Sequence, residues 1–152
     1  MGFNIVAAVV GGLAGTAVMT GMMLGGKKLH LPAVDAHGIL GFVRRADRVG
    51  SLGYIMHFVM GVVFAVGYAL AFAAFPGNIL LLGAGLGIIH WLAVGWMFAF
   101  APNIHAGMKA GTIEIVGAYM LRSLGFMGFI AGMIGHIVFG MVVALVYGMF
   151  VG

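Results

Sequence analysis

The fold of this chain is decided by residues 124–151, which read LGFMGFIAGMIGHIVFGMVVALVYGMFV without a single charged side chain. This stretch exceeds the roughly 20 residues that a helix needs to cross a ~30 Å hydrocarbon core. Three more stretches have the same character, at about residues 4–24, 50–75 and 79–101. A soluble domain of 152 residues could not cover a sequence that is 64% hydrophobic and 7% charged. We therefore expect an all-α integral membrane protein with four transmembrane helices.

The chain also repeats itself at an offset of 79 residues. This offset carries GYIMHFVMG at residues 53–61 onto GMIGHIVFG at residues 132–140. Further matches are Leu13 with Leu92, Val59 with Val138, Val63 with Val142, Tyr68 with Tyr147 and the acid Asp35 with the acid Glu114. We predict a single domain over residues 1–152, a four-helix bundle built from two tandem two-helix units at about 1–75 and 79–152. Each unit crosses twice, so the pseudo-twofold axis should run along the membrane normal.

Charge placement predicts the orientation in the membrane. All seven basic and all three acidic residues lie in the two longer connections, which follow the first and third apolar stretches. The positive-inside rule makes these connections cytoplasmic and places both termini outside. We expect a multi-pass protein of the prokaryotic cytoplasmic (inner) membrane, surrounded by lipid. The net charge of +4 is a topology signal and does not indicate nucleic acid binding.

Two intramembrane histidines are the main candidate functional residues, because a polar side chain in hydrocarbon is costly and indicates a functional site. Each has a glycine one helical turn away on either side, namely Gly53 and Gly61 around His57, and Gly132 and Gly140 around His136. A flat tetrapyrrole between helices needs an imidazole for its metal and no bulky side chain beside the ring. The pattern predicts haem b or a related tetrapyrrole, with His57 and His136 as metal ligands and the four glycines lining the ring.

The same glycines support a second hypothesis. Small residues at four-residue spacing let helices pack closely in lipid, and Gly11 with Gly15 and Gly83 with Gly87 repeat this spacing on the other two helices. The histidines would then hydrogen bond to neighbouring helices in a seam without a cofactor. The chain would be a cofactor-free scaffold or accessory subunit that packs against other transmembrane subunits or in a homo-oligomer.

A third histidine and the methionines leave other roles open. The repeat counterpart of His90 is Gly11, so His90 breaks the symmetry; it could replace either repeat histidine as a cofactor ligand or serve packing. Met19 with Met23 and Met56 with Met60 are each one turn apart, a step that resembles the motif of copper-uptake channels. A small channel or transporter for a soft metal cation is therefore a third hypothesis.

The remaining polar residues have simpler expected roles. Tyr68 and Tyr147 fall at interface depth on the outer side, where we expect them to anchor the helices. Solvated loop residues are expected at His30, Asp35, His37, His105 and Glu114, whose spacing fits no defined metal site.

The sequence has no nucleophile with an adjacent base and no Walker or dinucleotide-binding glycine motif, so we do not expect an enzyme. The leading hypothesis is a non-catalytic subunit of a larger membrane complex that binds a tetrapyrrole for electron transfer or assembly.

Several short motifs lie along the chain, namely Val18-Met19-Thr20-Gly21-Met22-Met23, Met56-His57 with Gly61, Tyr68-Ala69, His90-Trp91, Gly135-His136 with Gly140, and Tyr147-Gly148. Together they resemble a family of small, uncharacterised four-helix integral membrane proteins of prokaryotes. The resemblance spans nearly the whole chain. It implies the four-helix architecture and brings no activity with it.

Overall fold

A computed structural model describes residues 2–29 and 51–152. The described part of the chain is all-α, as predicted, and is dominated by four long helices. Helix α1 spans Ile5–Lys28, α2 spans Ser51–Ala74, α3 spans Ile79–Gly95 and α4 spans Leu121–Val151. Four short helical turns lie between α3 and α4, at Trp96–Ala99, Ala101–Ile104, Ala106–Lys109 and Ala118–Met120. The predictions for His30, Asp35 and His37 fall outside the described residues.

The long helices account for the membrane spans. Within the described ranges, four helical stretches are long and apolar enough to cross a membrane, namely Ile5–Lys28, Ser51–Ala74, Ile79–Ala99 and Ala118–Val151. The 24 residues of α1 or α2 extend about 36 Å at 1.5 Å per residue, which exceeds a ~30 Å hydrocarbon core. The chain is therefore a multi-pass membrane protein.

Local sequence explains where the helices begin. The side chain of Asn4 accepts a hydrogen bond from the Ala7 amide at 3.0 Å and so caps α1. Asn78 caps α3 in the same way, accepting from the amides of Leu80 and Leu81. Near its start α4 is broken at Gly125, whose φ of +59° lies in the left-handed region that glycine tolerates.

The chain divides into two compact units, each of which draws on all four long helices. The first unit comprises Met1–Met22, Phe58–His90 and Met133–Gly152. Its core combines alanines with nearly fully buried aromatic residues, among them Phe72, Phe139 and Tyr147.

Glycines set the packing of α1 on α4 in this first unit. A methyl group at Gly11 would lie 3.3 Å from the carbonyl oxygen of Val143, and one at Gly15 would lie 2.9 Å from the ring of Phe139. Contact positions fall along α4 as they rise along α1, so the two helices are antiparallel. The predicted packing role of these two glycines is confirmed.

The contact between α3 and α4 is closer still. A methyl group at Gly87 would overlap the carbonyl oxygen of His136, and one at Gly83 would overlap the carbonyl oxygen of Gly140. The two helices therefore touch through their backbones, in antiparallel directions. Both glycines of α3 serve the packing role that their spacing predicts.

The second unit comprises Met23–His57 and Trp91–Gly132 and holds an aromatic cluster. The indole of Trp91 is fully buried, with its ring centroid 5.8 Å from that of Tyr119 and 6.3 Å from that of Phe129. Tyr119 has a left-handed φ of 51° and donates a hydrogen bond from its hydroxyl to the Leu92 carbonyl at 3.0 Å. The cluster holds this conformation, which is uncommon for a bulky residue.

Candidate functional site

Three polar side chains from three membrane-spanning helices meet in the first unit. The ring centroids of His90 on α3 and His136 on α4 are 4.7 Å apart, with the ring planes at 86°. The hydroxyl oxygen of Tyr68 on α2 lies 3.3 Å from Nδ1 of His90, within hydrogen-bonding distance. Tyr68 is 4% exposed and His136 is 9% exposed. His90 is half-buried. Two imidazoles and a phenol thus form one polar cluster inside the first unit, which we call the imidazole pair and its tyrosine.

Aromatic rings surround this cluster. The ring centroid of Phe64 is 3.8 Å from that of His90, and Phe139 is 5.8 Å from the same imidazole. Phe139 also packs edge-on against Tyr68, at 5.7 Å between centroids. In such apolar surroundings a hydrogen bond is stronger than in water and an unpaired polar group is costly. The hydrogen bond between Tyr68 and His90 therefore stabilises both side chains.

The two tyrosines do not face the membrane interface as predicted, because both are buried in the protein; Tyr147 nevertheless anchors the start of α1. Tyr147 is 0% exposed; its hydroxyl donates to the Gly2 carbonyl and accepts from the Asn4 amide, each at 2.9 Å. Tyr68 instead reaches His90. Long side chains of a helix point towards its N-terminus, so a tyrosine hydroxyl lies at a different depth from its own Cα. That displacement moves the Tyr68 hydroxyl away from the turn at the end of α2.

The short turn at residues 75–78 is a sequence signal from which contact between α2 residues and His90 could have been predicted. Helices joined by so tight a turn must be antiparallel, so residues at similar distances from the turn lie at similar depth. Phe64 and His90 meet this condition, and their rings are in contact. No such local argument places His136, which lies on a helix distant in sequence.

The other predicted histidine ligand, His57, belongs to the second unit, where it is half-buried on α2. Gly53 in the same unit is buried. A methyl group at Gly132 would overlap the indole of Trp91, so protein atoms cover this predicted ring-lining position. The pairing of His57 with His136 in one site stays a prediction.

The two ring-lining glycines of the first unit are also covered by protein. A methyl group at Gly61 would overlap the side-chain oxygen of Thr16 on α1. One at Gly140 would overlap the Gly83 carbonyl oxygen and lie 2.9 Å from Cε1 of Tyr68. Both glycines are therefore sites of close helix packing.

The expectation that His105 is a solvated loop residue is wrong. Its side chain is 1% exposed, and Nδ1 accepts a hydrogen bond from the Met108 amide at 3.2 Å, capping the turn Ala106–Lys109. Glu114 is exposed, as expected. Among the described residues, no group of three or more histidine and acidic side chains is arranged to hold a metal ion.

The two methionine pairs with four-residue spacing, Met19 with Met23 and Met56 with Met60, differ in their surroundings. Met60 is 36% exposed, whereas Met19 packs against the core of the first unit. The methyl carbon of Met19 would lie 3.4 Å from a Cβ built on Gly135, the residue before His136. A soft thioether therefore borders the part of α4 that carries one of the paired imidazoles.

No protein-family model, curated protein or solved structure matches this chain. The resemblance to a family of small four-helix membrane proteins therefore stays a prediction. The functional argument rests on the residues of this chain alone.

Proposed function

We propose that this chain is a non-catalytic scaffold or accessory subunit of a membrane complex, which binds partner transmembrane helices through small residues on its surface. The supporting observation is that its glycines are used in two ways. Those at positions such as Gly12 and Gly83 are covered by neighbouring helices of the same chain. Gly21 and Gly67 have no atom within 4 Å of a built Cβ.

A glycine that contacts no other helix lowers the stability of its own helix without allowing close packing within the chain. Glycine is about 1 kcal/mol less favourable than alanine within a helix. On α1 the exposed Ala17 and Gly21 are four residues apart, which is the spacing that allows two helices to approach closely in lipid. A partner helix at this face would give the exposed small residues a packing role.

The tetrapyrrole hypothesis is supported less well by the packing. A macrocycle beside Gly61 or Gly140 would need the volume that Thr16 and Gly83 fill. The imidazoles of His90 and His136 are also too close for a haem between them. Two axial imidazoles on one iron would have centroids about 6 Å apart if metal–nitrogen bonds are ~2.0 Å, as in other metal–histidine sites. Their actual separation is 4.7 Å.

We also propose the tandem repeat and its twofold axis along the membrane normal. The contact of Gly11 with Val143 has an equivalent at the offset of 79, namely the contact of His90 with Phe64. The pairing inside the two repeat units differs, however. Gly12 packs against Val62, next to Gly61, whereas the counterpart of Gly61 packs against Gly83. Position 91, the counterpart of Gly12, is a tryptophan and is too large for a backbone contact.

The orientation, with both termini outside the cytoplasmic membrane, belongs to the same proposal. Its support is the position of the described basic residues: Lys27 and Lys28 end α1, Lys109 lies between α3 and α4, and Arg122 lies in the first turn of α4. If each long helix crosses the membrane once, all four belong to the same side. Single cysteines at Asn78 and Lys109 should therefore react with impermeant maleimide from opposite sides. Labelling of Asn78 from the cytoplasmic side would overturn this orientation.

The absence of cysteine from the sequence makes the scaffold proposal testable by cross-linking. In native membranes, Ala17→Cys should give a discrete oxidised species, with itself or with another subunit. Leu81→Cys, at a 73% exposed lipid-facing position on α3, is the matched control and should give none. Adding Gly21→Leu should remove the Ala17→Cys product by blocking close approach.

Equal cross-linking at Ala17 and Leu81 would indicate random collision and refute the scaffold face. A visible spectrum tests the competing hypothesis directly. The purified protein should be colourless before and after dithionite, whereas a Soret band that disappears in His57→Leu and His136→Leu would establish the tetrapyrrole site instead.

A further inference from the structure

We propose that the imidazole pair and its tyrosine form an intramembrane site for a single monovalent copper ion, Cu(I), with His90 and His136 as ligands. The inference does not depend on the scaffold function. It starts from the position of the two imidazoles, which come from α3 and α4 and lie 4.7 Å apart between ring centroids.

This separation suits one metal ion shared by two histidines. With metal–nitrogen bonds of about 2.0 Å and a ring nitrogen about 1.1 Å from its centroid, a tetrahedral angle at the metal puts the centroids about 5 Å apart; such an angle requires a further ligand beside the two imidazoles, for which a thioether is suited. The actual distance of 4.7 Å is close to that value.

Tyr68 supplies the hydrogen bond that a histidine ligand usually makes with its other nitrogen. Metal-bound imidazoles donate this second N–H to an oxygen, which fixes the ring and raises its basicity. Nδ1 of His90 lies 3.3 Å from the Tyr68 hydroxyl. When Nδ1–H donates to this oxygen, Nε2 carries the lone pair that binds the metal. Tyr68 is then a positioning residue.

Charge selects Cu(I) from the metals that imidazole binds. Within the described residues 2–29 and 51–152, Glu114 is the one acidic residue and lies outside the four long helices, so these residues offer only neutral ligands to the site. An uncompensated divalent ion in hydrocarbon would be more costly to desolvate than a monovalent one. Cu(I) also accepts soft thioethers, and Met19 packs beside Gly135, the residue before His136.

The repeat explains why the chain would have one such site. At the offset of 79, His136 corresponds to His57, whereas His90 corresponds to Gly11. Within the described residues of the first repeat unit, His57 is the one histidine in a long helix, and the position that corresponds to His90 is a glycine. His57 consequently offers a matched control: an intramembrane histidine in the same type of motif.

The test is Cu(I) binding by the full chain in detergent under anaerobic, reducing conditions, measured by competition with a chromophoric Cu(I) chelator. We expect one Cu(I) per chain. His90→Leu and His136→Leu should each weaken binding by more than tenfold, and Tyr68→Phe by about tenfold, the lower range for loss of a hydrogen bond to a metal ligand. His57→Leu should leave the affinity unchanged. A response of His57→Leu equal to that of His136→Leu would overturn the assignment.

Copper X-ray absorption of the loaded wild-type protein provides a second measurement that needs no variant to fold. Outer-shell scattering from two imidazoles is the expected result, and its absence would refute the site. Zn²⁺ offered at the same concentration should bind more weakly. Retention of Zn²⁺ as tight as that of Cu(I) would refute the choice of a monovalent ion.

Discussion

Replacing Gly140 with alanine should force α3 away from α4 at the point where their backbones touch. The added methyl group would overlap the carbonyl oxygen of Gly83 and lie 2.9 Å from the carbonyl carbon of the same residue. It would also lie 2.9 Å from Cε1 of Tyr68. Two of these three atoms belong to the backbone and cannot rotate away. The strain must therefore be relieved by movement of a helix or of the tyrosine ring.

The size of the effect follows from these distances. Non-bonded carbon atoms prefer separations of about 3.5–4.0 Å, so the helices must separate by on the order of 0.6–1 Å. Overpacking of this kind costs about 1–3 kcal/mol in free energy of unfolding, and we expect the upper half of that range because backbone atoms are involved. At Gly67, where no atom lies within 4 Å, alanine should stabilise the helix by at most about 1 kcal/mol.

The assay is the free energy of unfolding, measured by titration of micellar protein with sodium dodecyl sulfate and followed by circular dichroism. Gly140→Ala and Gly67→Ala make the same chemical change in different surroundings and should therefore shift this free energy in opposite directions. If the two variants agree within about 0.5 kcal/mol, the ordinary range for surface substitutions, the close contact at Gly140 does not exist in the membrane protein.

Three further substitutions test other contacts. Gly61→Ala should destabilise by about 1–3 kcal/mol because its methyl group meets Thr16, and adding Thr16→Ala should recover part of that loss in the same titration; strict additivity would contradict the contact. Tyr147→Phe removes two hydrogen bonds at the start of α1 and should cost about 1–3 kcal/mol, with faster hydrogen exchange there; unchanged exchange would refute the anchoring role. His105→Ala should expose the Met108 amide to exchange, whereas His105→Asn should retain its protection by supplying another cap acceptor; equal exchange in both would refute capping.

Much of the fold could be predicted from the sequence because a membrane-spanning helix can be located from the length and composition of a single segment. A helix must satisfy its own backbone hydrogen bonds and present apolar side chains across the hydrocarbon core, so length and composition are sufficient to locate it. The four long apolar helices appear at the predicted stretches. The glycine pairs on α1 and α3 also pack as their four-residue spacing indicates.

The candidate site could be predicted only in part. Burial of His136 follows from its position within an apolar stretch, but spacing could not show which side chains it meets. The offset of 79 directs attention to His57, whereas the structure brings His136 next to His90, a residue that the repeat does not match. Tyr68 was missed because hydropathy gives the depth of a Cα and not the direction of a long side chain.

The sequence by itself therefore determined the class of protein, the number of apolar helices in its described residues and the places where helices can approach closely. Only the tertiary structure decided which helices pack against each other at those positions. At the offset of 79, Gly12 corresponds to Trp91, so the close contact of Gly12 with Gly61 has no counterpart of the same kind, and Gly140 packs against Gly83 instead. Helix rotation and axial register depend on the volumes of side chains that are distant in sequence, and these in turn determine which polar groups meet in the membrane.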